Sequence, residues 1–95
     1  MLMMFMEYKL DSSKRSAALE LLAGMADRLA ALGASQYRCM EGIDQPGLFV
    51  EVFAVPTAEQ YEQIKAWRLA DAAFCACVDG GAAKLHAWAF HDVAR

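Results

Sequence analysis

A four-stranded antiparallel sheet with two helices on one face, in the order β-α-β-β-α-β, is the α+β fold that the sequence predicts. Three observations carry it. The run Leu48-Phe-Val-Glu-Val-Phe-Ala-Val55 reads as a strand, and Pro56 with Thr57-Ala58-Glu59-Gln60 ends it and caps a helix. Apolar residues recur every three or four positions between Ala18 and Leu32, which is one helical stripe. Asp44-Gln45-Pro46-Gly47 is a turn by composition and joins two strand segments as a hairpin. Right-handed crossovers then give the spatial strand order 4-1-3-2. This is the ferredoxin-like arrangement.

Each element follows in order. Residues 2–10 form a first strand in which Leu2, Met4, Met6 and Tyr8 are the more apolar of two alternating sets. The opening Met1–Met6 run is too short for a signal peptide, and Glu7 and Lys9 interrupt it. Asp11-Ser12-Ser13 offers N-cap oxygens to a helix whose stripe is Ala18, Leu22, Met25, Leu29 and Leu32, with Gly33 as its C-terminal cap. Residues 35–42 are the second strand and 48–55 the third. The second helix runs from the Thr57 cap to about Arg68, and Asp71 caps a further turn or two through Val78. Gly80-Gly81 ends it, and residues 83–90 are the last strand. No linker, repeat or low-complexity tract divides residues 1–95, so a single domain is expected.

Composition narrows the function classes. The chain is 58% hydrophobic, more than a compact monomer of 95 residues can hide, so a homodimer is expected. The net charge is −3 and the basic residues are scattered, which argues against nucleic-acid binding. No stretch approaches the ~20 apolar residues of a membrane span. Cys39, Cys75 and Cys77 are an odd count with no secretion signal, which points to free thiols in a reducing, cytoplasmic compartment.

Strand alternation maps the two sheet faces. Met4, Met6, Tyr8, Tyr37, Cys39, Leu48, Val50, Val52, Leu85, Ala87 and Ala89 are expected to face the helices. The bare face then carries Phe5, Glu7, Lys9, Arg38, Met40, Phe49, Glu51, Phe53, His86, Trp88 and Phe90. Large aromatics beside charges suit a sheet-to-sheet dimer with a partly polar cavity. On this map Glu7, Arg38, Glu51 and His86 form one row across four strands spaced about 4.8 Å apart. Such a row is either a tuned acid/base site or an ion network that fixes the dimer's register.

The element order, the phrase Asp44-Gln45-Pro46-Gly47-Leu48-Phe49-Val50-Glu51-Val52-Phe53 and the segment Tyr61–Asp71 resemble the dimeric α/β-barrel superfamily. Antibiotic biosynthesis monooxygenase-like domains belong to it. The resemblance implies a dimeric barrel and includes cofactor-independent oxygenases, isomerases and haem-degrading enzymes. Haem-degrading members have a tryptophan that Trp67 resembles, but also a histidine further along that region and an asparagine on the first strand. This chain has Cys75 and Cys77 after Trp67 and no asparagine on its first strand, so haem degradation is not implied.

Two classes remain open on the residues. One is a monooxygenase-like or isomerase-like enzyme acting on a small hydrophobic, aromatic molecule without a cofactor. Its candidate acid/base residues are His86, Glu51 and Glu7, and its candidate ligand-binding residues are Tyr37, Arg38, Trp67, Phe74 and Trp88. The other is a non-catalytic dimer that binds a small ligand or a protein. A cavity with converging polar groups favours the first, and a barrel packed solid favours the second. No metal site is expected: Cys75 and Cys77 are two apart, about 200° around a helix, and read as buried structural cysteines. Arg68 and Asp71, three apart, are expected to pair on a helix surface.

Overall fold

The computed structural model describes residues 1–94. Its strands are β1 (Leu2–Lys9), β2 (Ser35–Glu41), β3 (Leu48–Val55) and β4 (His86–Phe90). Its helices are α1 (Arg15–Ala23), α2 (Met25–Ala30), α3 (Ala58–Ala70) and α4 (Ala72–Cys75). The sheet order is β2-β3-β1-β4 with every pairing antiparallel, the predicted 4-1-3-2 arrangement of an α+β ferredoxin-like fold.

Local chemistry explains the element bounds. Asp11 accepts from the Ser13 backbone at 3.0 Å and opens a short 3-10 turn before α1. The single predicted first helix is divided at Gly24 into α1 and α2, yet the predicted stripe still faces inward: Ala18, Met25 and Leu29 are fully buried. Gly33 ends the pair at φ +92°, a left-handed value that disfavours a side chain. Thr57 accepts from the Gln60 backbone at 3.2 Å, as its capping box predicts, and Asp71 accepts from the Phe74 backbone at 3.3 Å to start α4. Helix α4 ends at Cys75, before the expected Val78. The last strand starts at His86, because residues 81–84 form a 3-10 turn after Gly80.

The register corrects the face map on one strand. Met4, Met6 and Tyr8 lie opposite Phe53, Glu51 and Phe49, and directly opposed residues share a face. Phe49, Glu51 and Phe53 therefore face the helices, and Leu48, Val50 and Val52 lie on the bare face. The sequence map placed these two sets the other way round. The assignments on β1 and β4 hold: Met6 pairs Ala87 on the inner face, and Glu7 pairs His86 and Phe5 pairs Trp88 on the outer. On β2, a bulge between Ser35 and Arg38, with Gln36 at φ 58°, restores the register so that Cys39 opposes Glu51 and Arg38 opposes Val52.

The core sits between the inner sheet face and the helices. Met4, Met6, Phe53, Met25, Leu29, Ile64 and Phe74 are fully buried there. Tyr8 meets Phe74 edge-on at 5.2 Å and stacks on Phe49 at 6.0 Å, so β1, β3 and α4 share one aromatic cluster.

Candidate functional site

Two regions gather the polar side chains, one on each face of the sheet. The inner one centres on Glu51, which is fully buried together with Arg68 of α3. The Arg68 guanidinium donates through Nη1 to Oε1 at 2.8 Å and through Nη2 to Oε2 at 2.7 Å. The Tyr8 hydroxyl donates to Oε2 at 2.6 Å, and the Tyr37 hydroxyl to Oε1 at 2.7 Å. A carboxylate offers about four lone-pair sites, and all four are filled. Burial, reinforced by the Glu51 charge, drives both tyrosine pKa values far upward, so both stay protonated donors. Burial works against the Arg68 charge, but the hydrogen bonds and charge of Glu51 outweigh it and the net shift is upward. Arg68 Nε has no hydrogen-bond partner, while the guanidinium carbon lies 4.6 Å from the centre of the Phe74 ring.

This cluster is saturated. Glu51 has no free lone pair with which to take a proton from a substrate, and Tyr8, Arg68 and Phe74 are at most 2% exposed. Its chemistry is that of a buried, doubly hydrogen-bonded ion pair that fixes α3 to β3. The expected pair between Arg68 and Asp71 does not form. Arg68 points inward to Glu51, and Asp71 caps α4.

The outer region is open. Met3, Phe5, Val50, Trp88 and Phe90 line a cleft of about 620 Å³, with Glu7, His91 and Asp92 at its rim. Trp88 and Phe90 are 44% and 55% exposed, high values for such large apolar side chains. Phe90 meets Phe5 edge-on at 5.4 Å, and His86 stacks beside Trp88 at 5.8 Å.

The sequence-predicted residues therefore divide. Glu7, His86 and Trp88 come together on the open face, and Arg38 shares that face on the far side of β3. Glu51, Tyr37 and Phe74 come together inside. The predicted four-residue polar row does not exist, because Val50 stands opposite Glu7 where Glu51 was expected. Trp67 joins neither region. It is half-buried between α3 and the end of α2, beside Ala31 and Leu32, with the Arg28 guanidinium 5.7 Å from its ring. Cys75 and Cys77 direct their thiols at the carbonyls of Arg68 and Ala73, as expected of structural cysteines. Sequence reasoning missed Arg68 and Tyr8 as polar partners. The available signal was Arg68 four residues after the buried Ile64, a charge on a core stripe that requires a counter-charge.

Comparison with solved structures bears on this geometry. A candidate antibiotic biosynthesis monooxygenase from Deinococcus radiodurans superposes with a TM-score of 0.75 at 17% identity, covering 100% of this chain and 95% of that one. One from Nitrosomonas europaea gives 0.74 at 14%, covering 99% of this chain and 100% of that one. The chain has their fold. A further antibiotic biosynthesis monooxygenase structure gives 0.73 at 14% identity, over 99% of this chain and 100% of that one. At such identities the likeness is one of architecture. No family model matches the chain, and no curated protein sequence matches it significantly. Among the described residues, no helix is long and apolar enough to cross a membrane.

Proposed function

We propose that the protein is a homodimer of single-domain subunits, paired through their open sheet faces, that binds a small apolar, aromatic molecule in the cleft beside Trp88. The observation that carries this reading is the exposed apolar surface of that face, with its cleft of about 620 Å³. Phe5, Val50, Val52, Trp88 and Phe90 lie on it, and a solvated face has no use for them. Strands of five to eight residues, spaced about 4.8 Å, make a four-stranded face of about 450 Å² in projection. Side-chain relief raises the accessible area toward the ~800 Å² per partner of a standard interface. The interior, where every acceptor site of Glu51 is occupied, offers a ligand no place, which leaves the open-face cleft as its site.

The test is direct. Sedimentation at micromolar concentration should give a dimer, and N-phenyl-1-naphthylamine, a neutral aromatic probe, should fluoresce on entering the cleft. Replacing Trp88 by Ala should abolish most of that signal. A well-folded monomer, or probe binding unchanged in the variant, would refute the reading.

The solved neighbours described as antibiotic biosynthesis monooxygenases favour a second reading. In it the bound aromatic molecule is oxidised by oxygen without a cofactor, and Glu7 or His86 removes its proton. Oxygen uptake with 1-naphthol as substrate separates the two: uptake that depends on His86 supports turnover, and binding without uptake supports the carrier.

A further inference from the structure

A second, smaller cavity of about 330 Å³ adjoins the aromatic cleft and shares Glu7 with it. It lies where the end of β1 meets the turn before β4. The Asp79 backbone donates to the Lys9 carbonyl at 2.8 Å and draws that turn against the strand. Gly80 has φ +87°, and the Lys84 stem lies so close over it that a side chain at position 80 would collide with it. The Lys84 side chain, passing over Gly80, forms part of the cavity wall.

Six ionisable residues line this cavity; Tyr8 turns its hydroxyl inward to Glu51, and the other five are Glu7, Lys9, Asp79, Lys84 and His86. Among the described residues, none of the five makes a side-chain hydrogen bond or an ion pair with another side chain. Two ammonium groups and two carboxylates thus surround one concavity without neutralising one another. His86 stacks on Trp88 and joins this charged end to the aromatic end. A purely anionic head group would meet Glu7 and Asp79, and a purely cationic one would meet Lys9 and Lys84. A head group carrying both signs finds a partner for each.

We infer that the joined cavities take a molecule with an aromatic body and a zwitterionic head, the chemical class of a free aromatic amino acid. The ring lies among Phe5, Trp88 and Phe90, the ammonium faces Glu7 and Asp79, and the carboxylate faces Lys84 and Lys9. The inference rests on the proposal that the open-face cleft binds an aromatic ligand, and it adds the identity of the head group.

Three probes of one ring size test it at neutral pH: L-phenylalanine, 3-phenylpropanoate and 2-phenylethylamine. Each is followed directly by NMR through the Trp88 indole and His86 ring signals, without reference to the neutral dye. An exposed ion pair is worth at most about fivefold in affinity, so two pairs gained together should give phenylalanine about a tenfold advantage over either singly charged analogue. Glu7→Gln should weaken phenylalanine and 2-phenylethylamine and spare 3-phenylpropanoate, and Lys84→Gln should weaken phenylalanine and 3-phenylpropanoate and spare the amine. A structural role for either residue would move all three probes alike. Equal affinities, a stronger singly charged probe, or no shift with millimolar phenylalanine would overturn the inference. If the dye binds while the three probes rank equally, the head-group inference fails and the aromatic cleft stands. If neither the dye nor any probe binds, both fail.

Discussion

Replacing Arg68 by Met is the perturbation that most sharply tests the reading of the inner cluster. Both Glu51 and Arg68 are fully shielded from water. Removing the guanidinium leaves the Glu51 carboxylate buried with only the Tyr8 and Tyr37 hydroxyls as donors. Breaking a buried pair in this way costs about 3–5 kcal/mol, because the remaining charge is uncompensated. A chain of 95 residues has roughly 5–14 kcal/mol of total stability, so the variant sits near the edge of folding. The melting temperature should fall by roughly 15–30 °C. Converting the whole cluster to apolar groups should behave differently. Glu51→Leu with Arg68→Met removes both charges but orphans two tyrosine hydroxyls, at about 1–3 kcal/mol each. Adding Tyr8→Phe and Tyr37→Phe removes those orphans and should recover most of the loss. Urea unfolding at one fixed protein concentration measures all of these variants. The reasoning is refuted if Arg68→Met costs less than about 1 kcal/mol, or if the fourfold variant is no more stable than the single one.

Three further outcomes follow from the same geometry. Trp88→Glu places a charge in the proposed sheet-to-sheet contact and should give a folded monomer by sedimentation, with an unchanged circular dichroism spectrum. The hydrogen bonds from Arg15, with one from the Gly47 backbone, lower the Glu41 pKa to about 2 from an ordinary carboxylate value. Since the folded-state value is the lower one, the contact's stabilisation is complete above the ordinary carboxylate range and is lost as pH falls through about 2. NMR titration should show the Glu41 value rising toward the ordinary range in Arg15→Gln, held below it by the remaining Gly47 hydrogen bond. Gly33→Ala forces a side chain into a left-handed position and against the Gln60 amide, and should cost about 1–3 kcal/mol in thermal unfolding.

Much of the architecture was legible because its signals are local. The eight residues 48–55 alternate or run apolar between a turn and a proline, and they form β3 with those bounds. The Thr57 and Asp71 caps were legible because each has a short oxygen-bearing side chain three residues before the amide it receives. The division at Gly24 was less so: the stripe from Ala18 to Leu29 continues across it, and periodicity does not register a backbone break that leaves the buried face intact. The start of β4 was obscured for a related reason. Ala83 and Lys84 fit a strand by composition, yet Gly80 and Gly81 at positive φ turn the chain into a 3-10 segment first.

The face of β3 was misread for a reason that bears on function. Its two alternating sets are Leu48, Val50, Val52, Ala54 and Phe49, Glu51, Phe53, Val55. Hydropathy alone turns the uncharged set inward, because burying a lone carboxylate costs several kcal/mol or more. That rule assumes the charge has no partner. Arg68 breaks the corresponding rule on α3, where Ile64 and Arg68 occupy the same buried stripe. Each charge is misplaced by itself, and together they form a bidentate pair at 2.7–2.8 Å. Once Glu51 turns inward, Phe49 and Phe53 follow it, and their bulk fills the space under the helices. The open face then receives the slimmer Val50 and Val52 instead. Slim side chains in the middle of a sheet flanked by Trp88, Phe5 and Phe90 leave a hollow, whereas two phenylalanines there would fill it. The inward turn of one glutamate therefore closes the interior to chemistry and opens the cleft on the other side of the sheet.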